Sequence, residues 1–563
     1  MNDLFRVYQV SGSRMPAYFI ESTALNNVDD EPEENNQPPR QDLSPLDPDE
    51  AIDKMAEHLA QAEQPEVVVI VHGFNNPQGA VLWRYAHAFE VAANDKPISA
   101  RDGLVCLGYR WPSEKIGQPL ATLYSAAPFL LIVLFLIAVV FFALALALAW
   151  LPVSPWLAHV FYTLGGLLVT VPLMVSLLRL AVYFRDGYRA TNYGVPDLVE
   201  VIRQLDRKVT EKAASLGRKA EYKNLVKLSF IGHSLGGFVV TNVVRILSDV
   251  FSPPVPRRTE PDYISVAQFA AERGAVRDKG SLNAGNAVKE ATPDVGNAFT
   301  LARLVLVSPD IPAETLLSNR ANFLASSLRR FREAYLFSNG GDVVLRLVST
   351  IANYFSFPTR SRDHGLRLGN TEALADSYGV ANLESLKANS GNINKDSFLQ
   401  DLRVGRLTLE ALYRQIKDKG QAEVILPQIF TYFDCTDYIE DDVGVVTRAK
   451  RKPRVRRQDR LSFWSHARLL YGYLAHQKPD VHSGYFNDNA RLARQLIFRV
   501  ACLGLADTVR SYYEEMNAAD DETPAPLEAF SRVCAEKQIK VLLSPLSFQS
   551  LQKKEKASGV KMM

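Results

Sequence analysis

The 563-residue sequence predicts an α/β fold, a mostly parallel sheet with helices on both faces. Short runs of apolar and often β-branched residues recur along the chain, and amphipathic segments with helical spacing separate them. One run leads through a glycine–serine turn into helix-compatible spacing, and one long uncharged stretch interrupts the pattern. The predicted strands are Phe5–Val10, Ala17–Ile20, Glu66–Val71, Leu104–Tyr109, Val226–Ile231, Arg303–Ser308, Glu333–Ser338 and, as the last one, Val424–Phe433.

Length and composition describe an ordinary globular chain. The length allows two or more domains, or one large α/β domain with insertions. Hydrophobic residues make up 47%, charged residues make up 22%, and the net charge of +2 gives no sign of nucleic-acid binding. The four cysteines lack the paired spacing of a metal site, so we expect reduced thiols in a cytosol-facing body, and neither a metal nor another cofactor. Residues 1–20 mix charged and apolar side chains, and we expect no signal peptide there.

The first part of the chain leads to a turn that could bind an anion. After the two N-terminal strands, residues 26–50 are acidic and proline-rich, which predicts a solvated loop, and Ala51–Ala60 has the spacing of an amphipathic helix. The strand Glu66–Val71 then runs into His72-Gly73-Phe74. A glycine-containing turn there can point the Phe74 N–H into a cleft, where it would stabilise an oxyanion. We interpret His72 as a structural residue of this turn rather than as a catalytic base.

A long uncharged stretch follows the next strand. Residues 116–178 contain no Asp, Glu, Lys or Arg, and the segments 128–151 and 157–178 are each long enough to cross a bilayer. Because Pro152-Val-Ser-Pro155 separates them, the stretch predicts a transmembrane helical hairpin at residues 126–182 that binds the lipid bilayer. A buried hairpin in a soluble protein is the alternative interpretation.

The charges around this hairpin predict its orientation. Its connecting turn carries no Lys or Arg, whereas basic residues flank it on both sides: Arg101, Arg110, Lys115, Arg179, Arg185 and Arg189. The positive-inside rule then predicts a two-pass integral membrane protein whose globular body and both termini are cytoplasmic.

Gly232-His-Ser-Leu-Gly236 matches the G-x-S-x-G pattern. It lies between the strand Val226–Ile231 and helical spacing over Phe238–Ile246. Such a strand–turn–helix unit projects the serine from the carboxyl edge of a sheet, and side chains in place of the two glycines would collide with neighbouring backbone. The pattern predicts Ser234 as a nucleophile and the N–H of Leu235 as a second oxyanion donor. A plain glycine-rich turn is the alternative.

A serine nucleophile needs a histidine that takes its proton and a carboxylate that holds the histidine's tautomer. In this kind of sheet the acid and then the histidine follow the serine along the chain. Asp342, in the turn after Glu333–Ser338, is the preferred acid, and Asp310, one strand earlier, is the alternative.

Three histidines follow the last predicted strand. His466 and His476 lie in Leu461–His476, whose apolar helical spacing, which includes Trp464, suits structural roles. His482 lies in a loop before the amphipathic helix Ala490–Leu503, and we prefer it as the catalytic base. His364, further upstream, is a weaker candidate.

A basic run, residues 448–460, holds eight Lys or Arg residues. A solvated loop is the default interpretation, and contact with anionic lipid head groups is the alternative.

The organisation predicted for the whole chain is N-terminal strands at 1–25, an acidic loop at 26–50, a first core part at 51–125, the hairpin at 126–182, a second core part at 183–517 with insertions at 252–300 (a loop or a lid), 358–423 and 440–460, and a C-terminal segment with a Lys-rich tail at 518–563.

Taken together, these motifs resemble a family. The succession is Val71-His-Gly-Phe-Asn75, Trp111-Pro-Ser113, Gly232-His-Ser-Leu-Gly236, Ser308-Pro-Asp310, Ser338-Asn-Gly-Gly-Asp342 and His482-Ser-Gly-Tyr-Phe486. It resembles the poorly characterised bacterial esterase/lipase-like branch of the α/β-hydrolase superfamily, over about residues 66–112 and 183–500. The resemblance implies an α/β-hydrolase fold and a Ser-Asp-His triad. The chain departs from it in the hairpin, in long polar insertions, and in an extra glycine in the acid turn that keeps the choice of acid open.

The position of the hairpin adds an expectation about the substrate. It leaves the sheet after a strand and returns before a helix, so it would emerge at the carboxyl edge, where Ser234 lies. The leading prediction is a membrane-anchored serine hydrolase that cleaves an ester, with a lipid acyl ester favoured, through an acyl-enzyme. The alternatives are a thioesterase or hydrolase of a soluble acyl substrate that is only tethered to the membrane, and a non-catalytic membrane scaffold with the same fold.

Overall fold

A twelve-stranded sheet forms the centre of the protein in a computed structural model. The structure describes residues 4–11, 13, 15–24, 43–74, 76, 78–113, 184–218, 225–251, 294–317, 328, 330–349, 366–388, 395–418, 426–440, 443–444, 461–474, 481–517 and 525–558. The strands are β1 Phe5–Val10, β2 Ala17–Ser22, β3 Leu43–Leu46, β4 Glu66–Val71, β5 Leu104–Arg110, β6 Val226–His233, β7 Asp294–Val295, β8 Phe299–Val307, β9 Glu333–Ser338, β10 Thr371–Ala373, β11 Gly379–Val380, β12 Leu402–Val404, β13 Leu407–Thr408, β14 Phe430–Asp434, β15 Ile439–Glu440, β16 Val443–Gly444 and β17 Lys540–Leu542.

The strand order of the large sheet is β11-β17-β14-β9-β8-β6-β4-β5-β2-β1-β3, with β7 paired to β8. The strands from β14 to β2 are parallel to their neighbours. At one edge β1 pairs antiparallel with β2 and β3, and near the other edge β17 pairs antiparallel with β14. Because the central strands are parallel, the turns that follow β4, β5, β6, β8 and β9 meet at one edge of the sheet.

The helices lie on both faces of this sheet. They are α1 Pro48–Gln61, α2 Gln78–Asn94, α3 Lys96–Ser99, α4 Val195–Ser215, α5 Leu235–Phe251, α6 Leu383–Ala388, α7 Lys395–Gln400, α8 Leu409–Asp418, α9 Phe463–Leu474, α10 Arg491–Cys502, α11 Leu505–Asn517, α12 Pro526–Glu536 and α13 Pro545–Ser558. There are also π-helical turns at Ala190–Gly194 and Val344–Ser349, and 3-10 turns at Ala313–Leu316, Leu368–Asn370, Leu426–Ile429, Gly484–Phe486 and Asp488–Ala490.

Strand β4 shows why the sheet is covered on both sides. Val67, Val69 and Val71 pack in one layer with α1, α4 and α5, whereas Val68 and Ile70 pack in the other with α2, α10, α11 and α12. All five side chains are at most 2% exposed. A strand buried on both faces has a continuous apolar sequence instead of an alternating one. The predicted α/β class, with a mostly parallel sheet and helices on both faces, is confirmed.

The predicted strands exist, but the one expected at Val424–Phe433 is shorter and is not the last. Its first part is the 3-10 turn Leu426–Ile429, since Pro427 lacks an N–H for a sheet ladder. Strand β17, which lies in the predicted C-terminal segment 518–563, pairs with β14 and with the edge strand β11. These strands have three and two residues, too few for an alternation to be read from sequence.

A predicted loop and a predicted polar insertion both contain regular structure. The end of the 26–50 loop forms β3 and the start of α1, where the Asp47 carboxylate caps the helix by accepting from Asp49 N (3.0 Å) and Glu50 N (3.1 Å). Within 358–423, strands β10, β12 and β13 form a small sheet. Phe398 and Leu412 are each 1% exposed there. Scattered apolar residues in a polar segment were enough to form this packed unit.

Several predictions fall outside the described residues. These are the hairpin at 126–182, the basic run at 448–460, most of the 252–300 insertion, His364 and His476. Among the helices that the structure describes, none combines the length and the apolar character needed to cross a bilayer. The predicted helix over Leu461–His476 is present as α9, but Trp464 does not belong to the core, because it is 78% exposed.

Candidate functional site

Ser234 is the single residue between the end of β6 and the start of α5. Its φ of +54° lies in the left-handed region, which is unfavourable for a residue with a side chain and is found at sites where the surroundings hold it. Hydrogen bonds to strand β8 and to the loop that follows it stabilise this conformation. Ser234 N donates to Val307 O, and Ser234 O accepts from the N–H groups of Gly237 and Asp310, each at 3.0 Å. The sharp turn is therefore fixed by the loop after β8 as well as by its own glycines.

Three glycines allow the backbone to approach this serine. A Cβ on Gly232 would lie 2.7 Å from Gly237 Cα, and one on Gly236 would lie 2.3 Å from Val71 O. These are the backbone collisions predicted for the G-x-S-x-G turn. Gly73 is under the same constraint for a reason that the sequence did not supply, since its Cβ would lie 2.7 Å from Ser234 Cβ. The turn after β4 thus lies directly against the serine.

Ser234, His482 and Asp342 form a hydrogen-bonded chain. His482 Nε2 is 2.9 Å from Ser234 Oγ, and His482 Nδ1 is 2.6 Å from Asp342 Oδ2. Ser234 and Asp342 are 0% exposed and His482 is 6% exposed. Because an ionised carboxylate only accepts, Nδ1 donates to Asp342, and Nε2 is left as the acceptor for the serine proton. The three residues preferred from the sequence are brought together in the order that nucleophilic catalysis requires.

Asp342 is held by the turn that carries it. Its Oδ1 accepts from the backbone N–H groups of Val344 (3.0 Å) and Leu345 (3.1 Å), at the start of a π-helical turn. One carboxylate oxygen is thus fixed by backbone while the other faces the imidazole. The extra glycine in Asn339-Gly-Gly-Asp342 leaves this contact in place.

The alternative acid has other partners. Asp310 Oδ1 lies 2.9 Å from Arg367 Nε in a buried ion pair, and its Oδ2 accepts from Ser349 Oγ at 2.9 Å. Its contribution to Ser234 is through the backbone N–H. Within the described residues, Asp342 is the carboxylate in hydrogen-bond contact with His482.

The predicted oxyanion donors flank the serine. Leu235 is the first residue of α5, so its N–H has no acceptor within the helix and belongs to the positive end of the helix dipole. Phe74 follows Gly73, which the structure places against Ser234 Cβ. The structure thus places both residues next to Ser234, and their roles as oxyanion donors stay predictions.

Two further histidines surround the site. Burial lowers the pKa of His72 to about 3, and its neutral ring stacks on Trp111 with ring centres 5.1 Å apart, as suits a structural residue. Burial also holds the pKa of His233 well below its usual value. His233 Nε2 lies 3.2 Å from the carbonyl oxygen of His482, so its N–H supports the loop of the candidate base. Sequence reasoning missed this contact, although His233 stands inside the motif.

Neither a metal-binding cluster among the described residues nor a comparison with known proteins assigns a function to this site. The described part of the chain holds no group of three or more His, Cys, Asp or Glu side chains that could bind a metal ion. No family model, no curated protein and no solved structure matches this chain. Any functional conclusion therefore depends on the geometry around Ser234.

Proposed function

We propose that this chain is a serine hydrolase of acyl esters, of the α/β-hydrolase type, that works at a membrane. The observation that carries the proposal is the chain of contacts from Ser234 Oγ to His482 Nε2 (2.9 Å) and from His482 Nδ1 to Asp342 Oδ2 (2.6 Å) on a serine with φ +54°. The nucleophile turn, the parallel sheet and the order Ser–Asp–His along the chain agree with the resemblance to esterase/lipase-like α/β-hydrolases.

In this mechanism Ser234 Oγ attacks the ester carbonyl carbon while His482 Nε2 takes the hydroxyl proton. The carbonyl oxygen becomes an oxyanion, which the N–H groups of Phe74 and Leu235 stabilise. The ester C–O bond then breaks, and His482 returns the proton to the leaving alcohol. A water molecule then attacks the acyl carbon while His482 Nε2 takes a proton from it. The bond between the acyl group and Ser234 Oγ breaks, the acid leaves, and His482 returns the proton to Ser234. Asp342 keeps Nδ1 protonated throughout and stabilises the imidazolium.

A lipid substrate is favoured by what surrounds the site. The predicted hairpin lies in the sequence between Ser113 and Asp186. The side chains of these two residues are hydrogen-bonded at 3.0 Å. Both ends of that segment therefore lie at the carboxyl edge of the sheet, beside the turn that carries Phe74. We propose the bilayer as the partner on this side, through residues 126–182, with the body and both termini in the cytoplasm.

Helix α9 adds a second contact with the bilayer. Trp464 and Tyr471, seven positions apart on one face, are 78% and 66% exposed, and large aromatic side chains suit a membrane interface. The opposite face packs through Leu469 on Val343 and Val481, the neighbours of Asp342 and His482. The basic run at 448–460 ends just before this helix, where it could bind anionic head groups.

The test combines probe labelling with ester turnover on protein in bilayer nanodiscs. Wild type should be labelled by a fluorophosphonate, and Ser234→Ala should lose labelling and at least about 10⁴-fold in turnover. Ser308→Ala is the matched control, because Ser308 is also buried and has a positive φ of +40° but lies on the next loop. It should keep both signals.

The substrate classes separate in the same preparation. A lipid hydrolase turns over vesicle-borne acyl esters faster than soluble esters of the same acyl chain, whereas a tethered thioesterase or soluble-acyl hydrolase shows the opposite preference. If wild type and Ser234→Ala gave the same fluorophosphonate labelling and the same ester turnover, the proposal of an enzyme would be refuted. A non-catalytic membrane scaffold would then be the remaining function.

A further inference from the structure

The two ends of the undescribed segment 114–183 meet in a buried polar contact. Ser113, after the carboxyl end of β5, is 1% exposed, and Asp186 is 0% exposed. Ser113 Oγ donates to Asp186 Oδ2 at 3.0 Å, and Arg189 Nη1 pairs with the other carboxylate oxygen at 3.2 Å. A buried carboxylate of this kind is stable only with such partners, so the Ser113 hydroxyl is held in one direction.

This hydroxyl continues a chain of hydrogen bonds toward the oxyanion turn. Because Ser113 Oγ gives its proton to Asp186, its lone pair accepts from Asn76 N–H, at 3.3 Å. The Asn76 side chain in turn donates through Nδ2 to Gly73 O at 3.0 Å and to Phe74 O at 2.9 Å. The polar path therefore runs from Asp186 through Ser113 and Asn76 to the backbone of the turn.

The carbonyl of Gly73 determines where the Phe74 N–H points. The two groups belong to one planar trans peptide, in which C=O and N–H point in opposite directions. Gly73 O is held twice, by Asn76 Nδ2 and by His72 Nδ1 at 2.6 Å. Fixing this oxygen fixes the direction of the Phe74 N–H without any contact with the N–H itself.

We infer that Asn76, supported by Ser113 and Asp186, is a positioning residue that aims the Phe74 N–H at the oxyanion. The inference rests on the proposed function. It also means that the contact between Ser113 and Asp186, which flank the segment containing the predicted hairpin, is continuous with the turn that carries Phe74.

The test compares steady-state kinetics with binding of an alkylboronic acid, whose tetrahedral adduct on Ser234 places an oxygen in the oxyanion position. Asn76→Asp keeps the shape of the side chain but removes both Nδ2 donors. We expect kcat to fall about 10²-fold, as for the loss of one oxyanion donor, with KM within about twofold of wild type. Boronate affinity should fall in parallel with kcat, because both depend on the same donor.

The Ser113 variants test the middle of the relay. Ser113→Ala should lower kcat and boronate affinity by about tenfold, the equivalent of one hydrogen bond, and Ser113→Thr should restore most of the loss because it keeps the hydroxyl. Ser229→Ala is the matched control, since Ser229 is a 0% exposed serine near the other end of the same sheet. It should lower stability without changing kcat or boronate affinity per labelled site.

Three results overturn the inference. In an active wild type, Asn76→Asp with unchanged kcat and boronate affinity would refute it and leave the proposed function standing, as would a loss of kcat that Ser229→Ala reproduces. A wild type that turns over no ester refutes the proposed function and this inference together.

Discussion

The two ends of the central strands hold buried polar groups in opposite ways. At the amino end, Glu66 begins β4, is 0% exposed and accepts from Arg303 Nη2 at 2.8 and 2.7 Å and from Ser229 Oγ at 2.7 Å. Arg303 also donates to the last carbonyls of α10, those of Ala501 and Cys502, at 2.8 Å each. Arg101 Nη1 pairs with Glu66 Oε2 as well, at 2.6 Å, so every charge of the cluster has an opposite charge in contact, and the cluster links α10 to the sheet.

At the carboxyl end the polar groups form a line instead of a closed cluster. Asp342 Oδ2 accepts from His482 Nδ1, and His482 Nε2 accepts from Ser234 Oγ, so the line ends on the oxygen that attacks the substrate in the proposed mechanism. The polar groups at both ends are buried, so burial alone does not distinguish a structural cluster from the proposed catalytic one. What distinguishes them is whether the last group in the network is already neutralised.

The largest expected effect separates the two buried acids at the carboxyl end. Asp342→Asn should lower kcat on the order of 10⁴-fold, because an amide can donate to Nδ1 and so favour the wrong imidazole tautomer. Asp310→Asn should leave kcat per folded molecule within about tenfold, since the backbone N–H that supports Ser234 remains. It should cost about 3–5 kcal/mol of stability, because Arg367 is left buried without its charge partner. Kinetics and thermal unfolding in detergent micelles measure both. The reverse pattern would assign the triad acid to Asp310.

The next effect tests the amino-end cluster. Glu66→Gln should reduce the free energy of unfolding by about 3–5 kcal/mol, because it leaves Arg303 buried without its counter-charge. Turnover per labelled Ser234 should stay at the wild-type value, since the cluster lies at the other end of the strands. Chemical denaturation and probe-normalised kinetics measure the two quantities. A variant of normal stability and poor turnover would contradict the division between the two ends.

The sequence predicted much of the carboxyl end because its signals are local. The apolar run of β4, the glycines around Ser234 and the loop position of His482 each follow from a few adjacent residues. The contacts that join them are not local. Ser234 and His482 are 248 positions apart, and Asn76 and Ser113 are 37 apart. Chain order was enough to predict the members of the proposed triad, but not the proposed relay through Asn76, which has no motif.

The misses have the same physical origin. Strands β11 and β17 are too short to show a period, and only pairing with β14 and with each other makes them strands. Trp464 belongs to an apolar helical pattern and still faces outward, because α9 buries only one side, through Leu469. Local propensity identifies an element, whereas the partner that covers it decides which side is core.

The smallest expected effect uses pH to tell the two ends apart, since buried imidazoles lie at the carboxyl end and the amino-end cluster contains none. Burial lowers the pKa of His72 from its ordinary 6.5 to about 3 in the folded protein. Between these values the unfolded chain binds a proton that the folded chain does not. The contribution of His72 to the free energy of unfolding is therefore fully present above about pH 6.5. It falls as the pH drops toward 3, by about 2 kcal/mol at pH 5 for this one group.

The variant His72→Phe tests this contribution, because it keeps an aromatic ring against Trp111 but cannot titrate. Free energies of unfolding from denaturant titrations at pH 7.5, 6 and 5 should give it a shallower pH slope than wild type, by about 1.2 kcal/mol between pH 6 and 5. Because His233 is also buried with a lowered pKa, part of the slope should remain. Equal slopes in the two proteins would mean that His72 can be protonated in place, and that this end of the sheet tolerates charge as the amino end does.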